Sequence, residues 1–379
     1  MVLLRLETKM RCSCMFFRYS PFLILFIIIT NISAQTRSLT KKNLLIRPFN
    51  NTISAFFVFG DSTVDSGNNN FISTVTKCNF HPYGRDFVNH IPTGRFTNGR
   101  LVTDFTASYI GVKEFVPPYL DPALSLEELM TGVSFASGGS GLDPLTAQIS
   151  GVIPLEEQLE YFKEYKMRLE NEIGEERTKL LISKAAFLIS AGTNDLVISY
   201  FNTQFRKQFY TVSGYQQFML QQMQQFLQDL IAEGARLVGI VGLPPIGCLP
   251  VVITTNTASN PLQPRQCIDS YSAVGKEYNF LLQNMLKNMN IHGVQLVYGD
   301  IYNPLYDMVQ NPNKYGFDDV YTGCCGTGLF ELALLCNPNS IVCGNASEFI
   351  FWDAVHPTQA TYYNLFKSLR PTIDSILKQ

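Results

Sequence analysis

Five short apolar runs recur along this chain with helical material between them: SAFFVFG at 54–60, GVSFAS at 132–137, AAFLISA at 185–191, ARLVGIVG at 235–242 and VQLVYG at 294–299. An unbroken apolar run of this length suits a strand buried on both faces, which a parallel sheet covered by helices requires. Strands alternating with helices predict a three-layer α/β/α architecture around a mainly parallel five-stranded sheet.

The helices between them are legible. In YQQFMLQQMQQFLQDLIAEGA, residues Met219, Met223, Phe226, Leu227, Leu230 and Ile231 keep to one stripe, and Gly234 is placed to end the helix. EEQLEYFKEYKMRLENEIGEERTK mixes charges of both signs at helical spacing and reads as an exposed surface. No repeat and no Pro/Gly/Ser linker divides the chain, so residues 54–379 are expected to form one domain. With 46% apolar and 16% charged residues, it has the composition of a chain with a sizeable core.

The amino terminus is different. Arg5, Lys9, Arg11 and Arg18 lead into PFLILFIIIT and then NISA, the three parts of a secretory signal with cleavage expected after Ala34. The competing reading is an uncleaved anchor, but the apolar run is far shorter than the ~20 residues that a spanning helix needs. Residues 35–53 read as a flexible leader. Without residues 1–34 the chain holds 25 Lys and Arg against 30 Asp and Glu, a net charge of about −5 with His neutral. Such a chain carries no nucleic-acid footprint.

Export sends seven cysteines, Cys78, Cys248, Cys267, Cys324, Cys325, Cys336 and Cys343, to an oxidising compartment where disulfides are expected, with at least one left over from any intramolecular pairing. The spacing of Cys324, Cys325, Cys336 and Cys343 is not that of a zinc finger, no histidine lies among these four, and no metal or other cofactor is expected. The sequons at Asn50 and Asn345 become candidate glycosylation sites.

Ligands of an open parallel sheet bind outside the carboxyl ends of the strands, near the point where strand order reverses. GDS with Ser62 follows the first run, SGGSG with Gly139 the second, and GTND with Asn194 the third. In a 2-1-3-4-5 sheet order, Gly139 and Asn194 flank Ser62 across one crevice. The backbone N–H groups of Ser62 and Gly139 and the side-chain amide of Asn194 could then form an oxyanion hole. A serine hydroxyl needs a base, and of His81, His90, His292 and His356 the last has Asp353 three residues before it. A carboxylate at that spacing reaches the imidazole around one tight turn, which makes Ser62, Asp353 and His356 a triad in the order Ser, Asp, His.

FGDS, SFASGGSG, GTND and DAVHP, in that order, resemble the blocks of the SGNH or GDSL hydrolase family. VDSGNNN, HPYGRDF, PTGRFTNGR, GLPPIGCLP, NPNKYGF and GCCGTG extend the resemblance to the plant GDSL esterase/lipases, and DPLTA at 143–147 to their extracellular-lipase group. The resemblance covers nearly everything from Ser54 onward and departs at the motif itself, which reads GDST, with Thr63 in place of leucine. It implies a flavodoxin-like SGNH hydrolase fold, a nucleophile at Ser62, oxyanion donors at Gly139 and Asn194, and a base at His356 oriented by Asp353. Within SGGSG, only register separates Gly139 from Gly138. The expected protein is a secreted esterase or lipase of the cell wall or apoplast that acts on small-molecule or lipid esters, with no membrane insertion once the signal is removed. The same site would also serve an acyltransferase or a polysaccharide acetylesterase, and a catalytically dead secreted binding protein is the reading from another class. Acyl chain length and oligomeric state are not legible.

Other polar residues read as structural. Asp61 and Asp65 lie four apart around a turn and are expected to cap a helix or bind local backbone, and Asp195 to cap the next helix. His81 and His292 read as loop or packed histidines, and Trp352 as packing behind the triad loop. The SGGSG glycines lack the G-x-G-x-x-G pattern and the P-loop lysine of a phosphate cradle.

Overall fold

The structure, a computed structural model, describes residues 53–257 and 264–378. The expected signal, the leader up to residue 52 and the sequon at Asn50 lie outside the described residues.

Four of the five apolar runs become strands of one parallel sheet: β1 (Phe56–Gly60), β2 (Ala186–Ser190), β3 (Leu237–Val241) and β4 (Gln295–Gly299), adjacent in that order. The expected five-stranded sheet is therefore four-stranded. Residues 131–137 do run beside β1, with Val58 N–H donating to Val133 O at 3.2 Å and Phe135 N–H to Val58 O at 2.7 Å. They form only isolated bridges, at Ser134 to Val58 and to Pro118. The pairing breaks at Gly60, whose N–H goes to Gln158 Oε1 at 2.9 Å instead of to a carbonyl of this segment. The segment's other edge is held by side chains, Asn68 Nδ2 donating to Ser134 O and Ala136 O and Asn69 Nδ2 to Gly138 O.

Helices cover both faces of the sheet. On one, Phe57 and Phe59 of β1 meet Phe162 at 5.4 and 5.8 Å between ring centroids, Phe57 meets Tyr165 at 5.1 Å, and Phe59 meets Phe226 at 5.5 Å. Each such ring taken out of water contributes about 1.5–3 kcal/mol. On the other, Phe56 and Ile240 share an apolar cavity with Leu369, Ile373 and Ile376 of the last helix, Gln359–Leu377. The glutamine-rich stretch is the helix Val212–Ala232, with Met219, Met223, Phe226, Leu227 and Leu230 buried. The charged stretch expected as surface is two helices, Leu155–Ile173 and Glu175–Ser183, and the first buries Leu159, Phe162, Tyr165 and Leu169 along one side. Its many charges occupy only the other side.

A second parallel pair, β5 (Asp319–Gly323) and β6 (Phe349–Phe351), was not legible as strands and carries the carboxyl-terminal site loop. Cys324 N–H donates to Phe351 O at 3.0 Å and Cys325 N–H to Trp352 O at 2.9 Å, which extends the pairing toward Asp353. Disulfides Cys324–Cys343 and Cys325–Cys336 tie this region, and Cys248–Cys267 closes a third loop. Cys78 is the free, buried thiol among the described residues. The bridges span 19, 19 and 11 residues, loops for which cross-linking contributes roughly 3 kcal/mol each. Reducing agent is expected to lower the thermal unfolding midpoint by several degrees in scanning calorimetry. A midpoint that did not move would mean that the bridges add nothing to stability.

Candidate active site

β1 delivers Gly60, Asp61 and Ser62 to the carboxyl edge of the sheet, where the chain turns sharply. Gly60 has φ +134°, and a Cβ there would lie 1.9 Å from Ser190 O, so only glycine fits between β1 and β2 at this point. Asp61 holds the turn from inside, its Oδ1 accepting from Thr63 N–H at 2.9 Å and Thr63 Oγ1 at 2.7 Å. Burial outweighs these bonds and pushes its pKa above the ordinary carboxylate range.

Ser62 Oγ lies 2.8 Å from His356 Nε2. His356 Nδ1 in turn lies 2.7 Å from Asp353 Oδ2 and 2.9 Å from Oδ1. The three side chains come from positions up to 294 residues apart and are nearly sealed, with Ser62 6%, His356 2% and Asp353 0% exposed. Asp353 is held by its own turn, since Oδ1 accepts the N–H groups of Val355 at 2.9 Å and His356 at 2.7 Å. Trp352 N–H donates to His356 O at 2.7 Å and closes the loop. Phe96 packs on the imidazole at 5.1 Å between centroids.

Ser62, Gly139, Asn194 and His356 line one cavity of about 280 Å³. Its walls include Val75, Val197, Ile198, Leu332, Val251 and Val355, so the space beside the hydroxyl is largely apolar. Gly138 and Gly139 are separated by their hydrogen bonds. Gly138 N–H donates to Asp65 Oδ2 at 2.8 Å, whereas neither Gly139 N–H nor Ser62 N–H has an acceptor among the described residues. Asn194 Nδ2 donates to Ser140 O at 2.8 Å, which fixes the amide while leaving its second hydrogen.

Buried carboxylates organise the loops around these donors. Asp65 accepts from Gly67 and Asn68 N–H as well as from Gly138, as expected of a backbone-binding residue, and burial pushes its pKa up to about 6. Asp195 is not the helix cap expected from its position. It reaches across to the second block and accepts from Leu142 N–H, Asp143 N–H and Thr146 Oγ1. Burial lifts it to about 6 as well. Sequence reasoning missed Gln158, whose amide bonds both Gly60 N–H and Gly60 O at 2.9 Å behind the turn that presents Ser62. It also missed Tyr83, whose hydroxyl donates to Asp353 Oδ2 at 2.7 Å. In HPYGRDF the histidine drew attention instead, yet His81 is exposed and takes no part in the cavity. Trp352 is fully buried and packs edge-on against Tyr83 at 6.1 Å, the supporting position expected of it.

The GDSL-like lipase/acylhydrolase family matches residues 56–369. The chain belongs to that family. Its relatives include three GDSL esterase/lipases of Arabidopsis thaliana. At5g45960 is 55% identical over 330 residues, covering 86% of this chain and 88% of the relative. At1g06990 is 42% identical over 359 residues, 93% of this chain and 98% of the relative. At1g20120 is 44% identical over 319 residues, 83% and 78% of the two. This GDSL protein is a carboxylic ester hydrolase with an α/β fold, as the sequence motifs implied. No helix among its described residues is long and apolar enough to cross a membrane.

Proposed function

We propose that this protein cleaves acyl esters through a covalent intermediate on Ser62. The reading rests on one observation, the unbroken line from Ser62 Oγ through His356 to Asp353 at 2.8 and 2.7 Å. His356 Nε2 accepts the hydroxyl proton as Oγ attacks the ester carbonyl, and the imidazolium returns it to the departing alcohol. Water then attacks the acyl carbonyl as it loses a proton to Nε2, and the imidazolium returns that proton to Ser62 Oγ as the acyl–Oγ bond breaks and the acid leaves, while Asp353 keeps the Nδ1 proton in place. The N–H groups of Ser62 and Gly139 and the amide of Asn194 receive the negative oxygen.

The apolar wall formed by Val75, Val197, Ile198, Leu332 and Val355 favours a hydrocarbon acyl chain over acetyl on a polysaccharide. The disulfides and the basic-apolar amino terminus favour export, and exposed Asn345 is the candidate glycan acceptor within the described residues. A series of p-nitrophenyl esters tests the substrate class: kcat/KM should rise from acetyl toward longer chains, and a maximum at acetyl would overturn the acyl-chain reading. Labelling of Ser62 by a serine-reactive phosphonate tests the nucleophile, and its absence in the folded protein would remove that role. Asn194→Ala is expected to lower kcat about 10²–10³-fold, the usual loss for one oxyanion donor. An unchanged kcat would take Asn194 out of the oxyanion hole.

A further inference from the structure

The triad aspartate has a buried partner that the hydrolytic mechanism does not use. Tyr83 is fully buried, and its hydroxyl donates to Asp353 Oδ2, the oxygen nearest His356 Nδ1. The same hydroxyl accepts the Ala333 N–H at 2.9 Å, and Leu332, Ala333 and Leu334 form part of the cavity wall. One phenol therefore joins the aspartate to the substrate-facing loop.

We infer that Tyr83 is a positioning residue for ester hydrolysis, fixing the plane of the Asp353 carboxylate and drawing off part of its charge. The inference rests on the triad reading above. Backbone N–H groups hold Oδ1, and the other partner of Oδ2 is the imidazole itself, the group that the carboxylate has to orient. Tyr83 supplies an anchor on Oδ2 that is independent of the base. It is itself clamped by Trp352, Phe80 and Phe96 around the ring, with centroids 6.1, 5.9 and 6.5 Å away. Disulfide Cys325–Cys336 closes the segment that presents Ala333.

The phenol stays protonated, since burial and the Asp353 charge hold its pKa far above the usual tyrosine range. Other titratable groups around the pair are His356 itself, the buried thiol of Cys78, Asp61, whose charge acts on His356, and Tyr362, whose phenol senses both Asp61 and Asp353. Cys78 and Tyr362 are pushed well above their ordinary ranges and Asp61 is raised, mainly by burial in each case.

The test is Tyr83→Phe in the full chain, with kcat and KM for a p-nitrophenyl ester followed across pH. Removing the donor leaves a more basic carboxylate, which stabilises the imidazolium, so the acid limb of kcat/KM moves to higher pH. kcat is expected to fall on the order of tenfold, the scale of one hydrogen bond to a charged group. In an Asp353→Asn background the same substitution is expected to cost little, because the group it acts through is gone. A merely structural tyrosine would lower the unfolding temperature, leave the acid limb in place, and cost the same factor in both backgrounds. Either of the last two results overturns the inference. Should Tyr83→Phe fail to fold, site-specific 3-fluorotyrosine at position 83 keeps the packing and the Ala333 bond while strengthening the donor. The acid limb must then move to lower pH, and an unmoved limb overturns the inference. Failure here is distinguishable from failure of the triad: an Asp353→Asn variant with wild-type kcat would sink both, whereas a crippled Asp353→Asn beside a flat Tyr83 result would sink only this one.

Discussion

Ser62→Ala is expected to lower turnover of p-nitrophenyl esters by at least about 10⁴-fold, with the unfolding temperature nearly unchanged. The oxygen that is lost has His356 Nε2 as its hydrogen-bond partner, and the backbone turn that presents it is held by Asp61, Thr63 and Gln158 rather than by the hydroxyl itself. Removing it should therefore leave the loop, the cavity and the oxyanion donors in place. What remains is a site that can polarise an ester carbonyl but has nothing to attack it with except water. Turnover within tenfold of wild type would show that another group is the nucleophile. The separation between lost activity and retained fold is what marks the residue as chemical rather than architectural.

Asp353→Asn is the second substitution with a very large expected effect, about 10⁴-fold in kcat by analogy with the tautomer argument for serine-protease triads. Asp353 accepts from Tyr83, from two backbone N–H groups and from the imidazole, and donates to none of them. An asparagine must turn its NH₂ toward one of these donors. If it faces the imidazole, Nδ1 must become an acceptor and the proton moves to Nε2, where it can no longer take the Ser62 proton. If it faces Tyr83 or the backbone, the loop itself is strained. Stopped-flow kinetics and calorimetry on the same sample separate the two outcomes, and wild-type kcat in a folded Asp353→Asn protein would eliminate the triad.

The strands and the chemistry-bearing blocks were legible because each is a local pattern. A doubly buried strand has to be apolar throughout, and a turn at its end has to use glycine and short polar residues. That logic located Ser62, Gly139 and Asn194, and the Asp353 spacing added His356; the four line one cavity. It failed where backbone groups find unusual partners. GVSFAS has a strand's composition, yet Gly60 N–H turns to Gln158 instead of to its carbonyls, and the segment keeps only isolated bridges to β1. Asp195 sits where a cap belongs, but its partners lie some fifty residues away in the chain. Gln158 gave no signal, and Tyr83 lay in a recognised block, HPYGRDF, with nothing to mark its role; an isolated glutamine in a charged helix and a tyrosine two residues after a histidine look ordinary until the fold brings them to Gly60 and Asp353.

By itself the order of residues determined the alternation of buried strands and helices, the Gly-Asp-Ser turn, the aspartate and histidine three apart, and the presence of an odd cysteine. These follow from short-range sterics and from apolar periodicity, which act within one element. Only the tertiary structure decided how many strands join the sheet, which cysteines bridge, and which neutral donors surround the aspartate. Those outcomes depend on pairings across 250 residues or more in the case of Tyr83, where the winning partner is the one that burial leaves within reach.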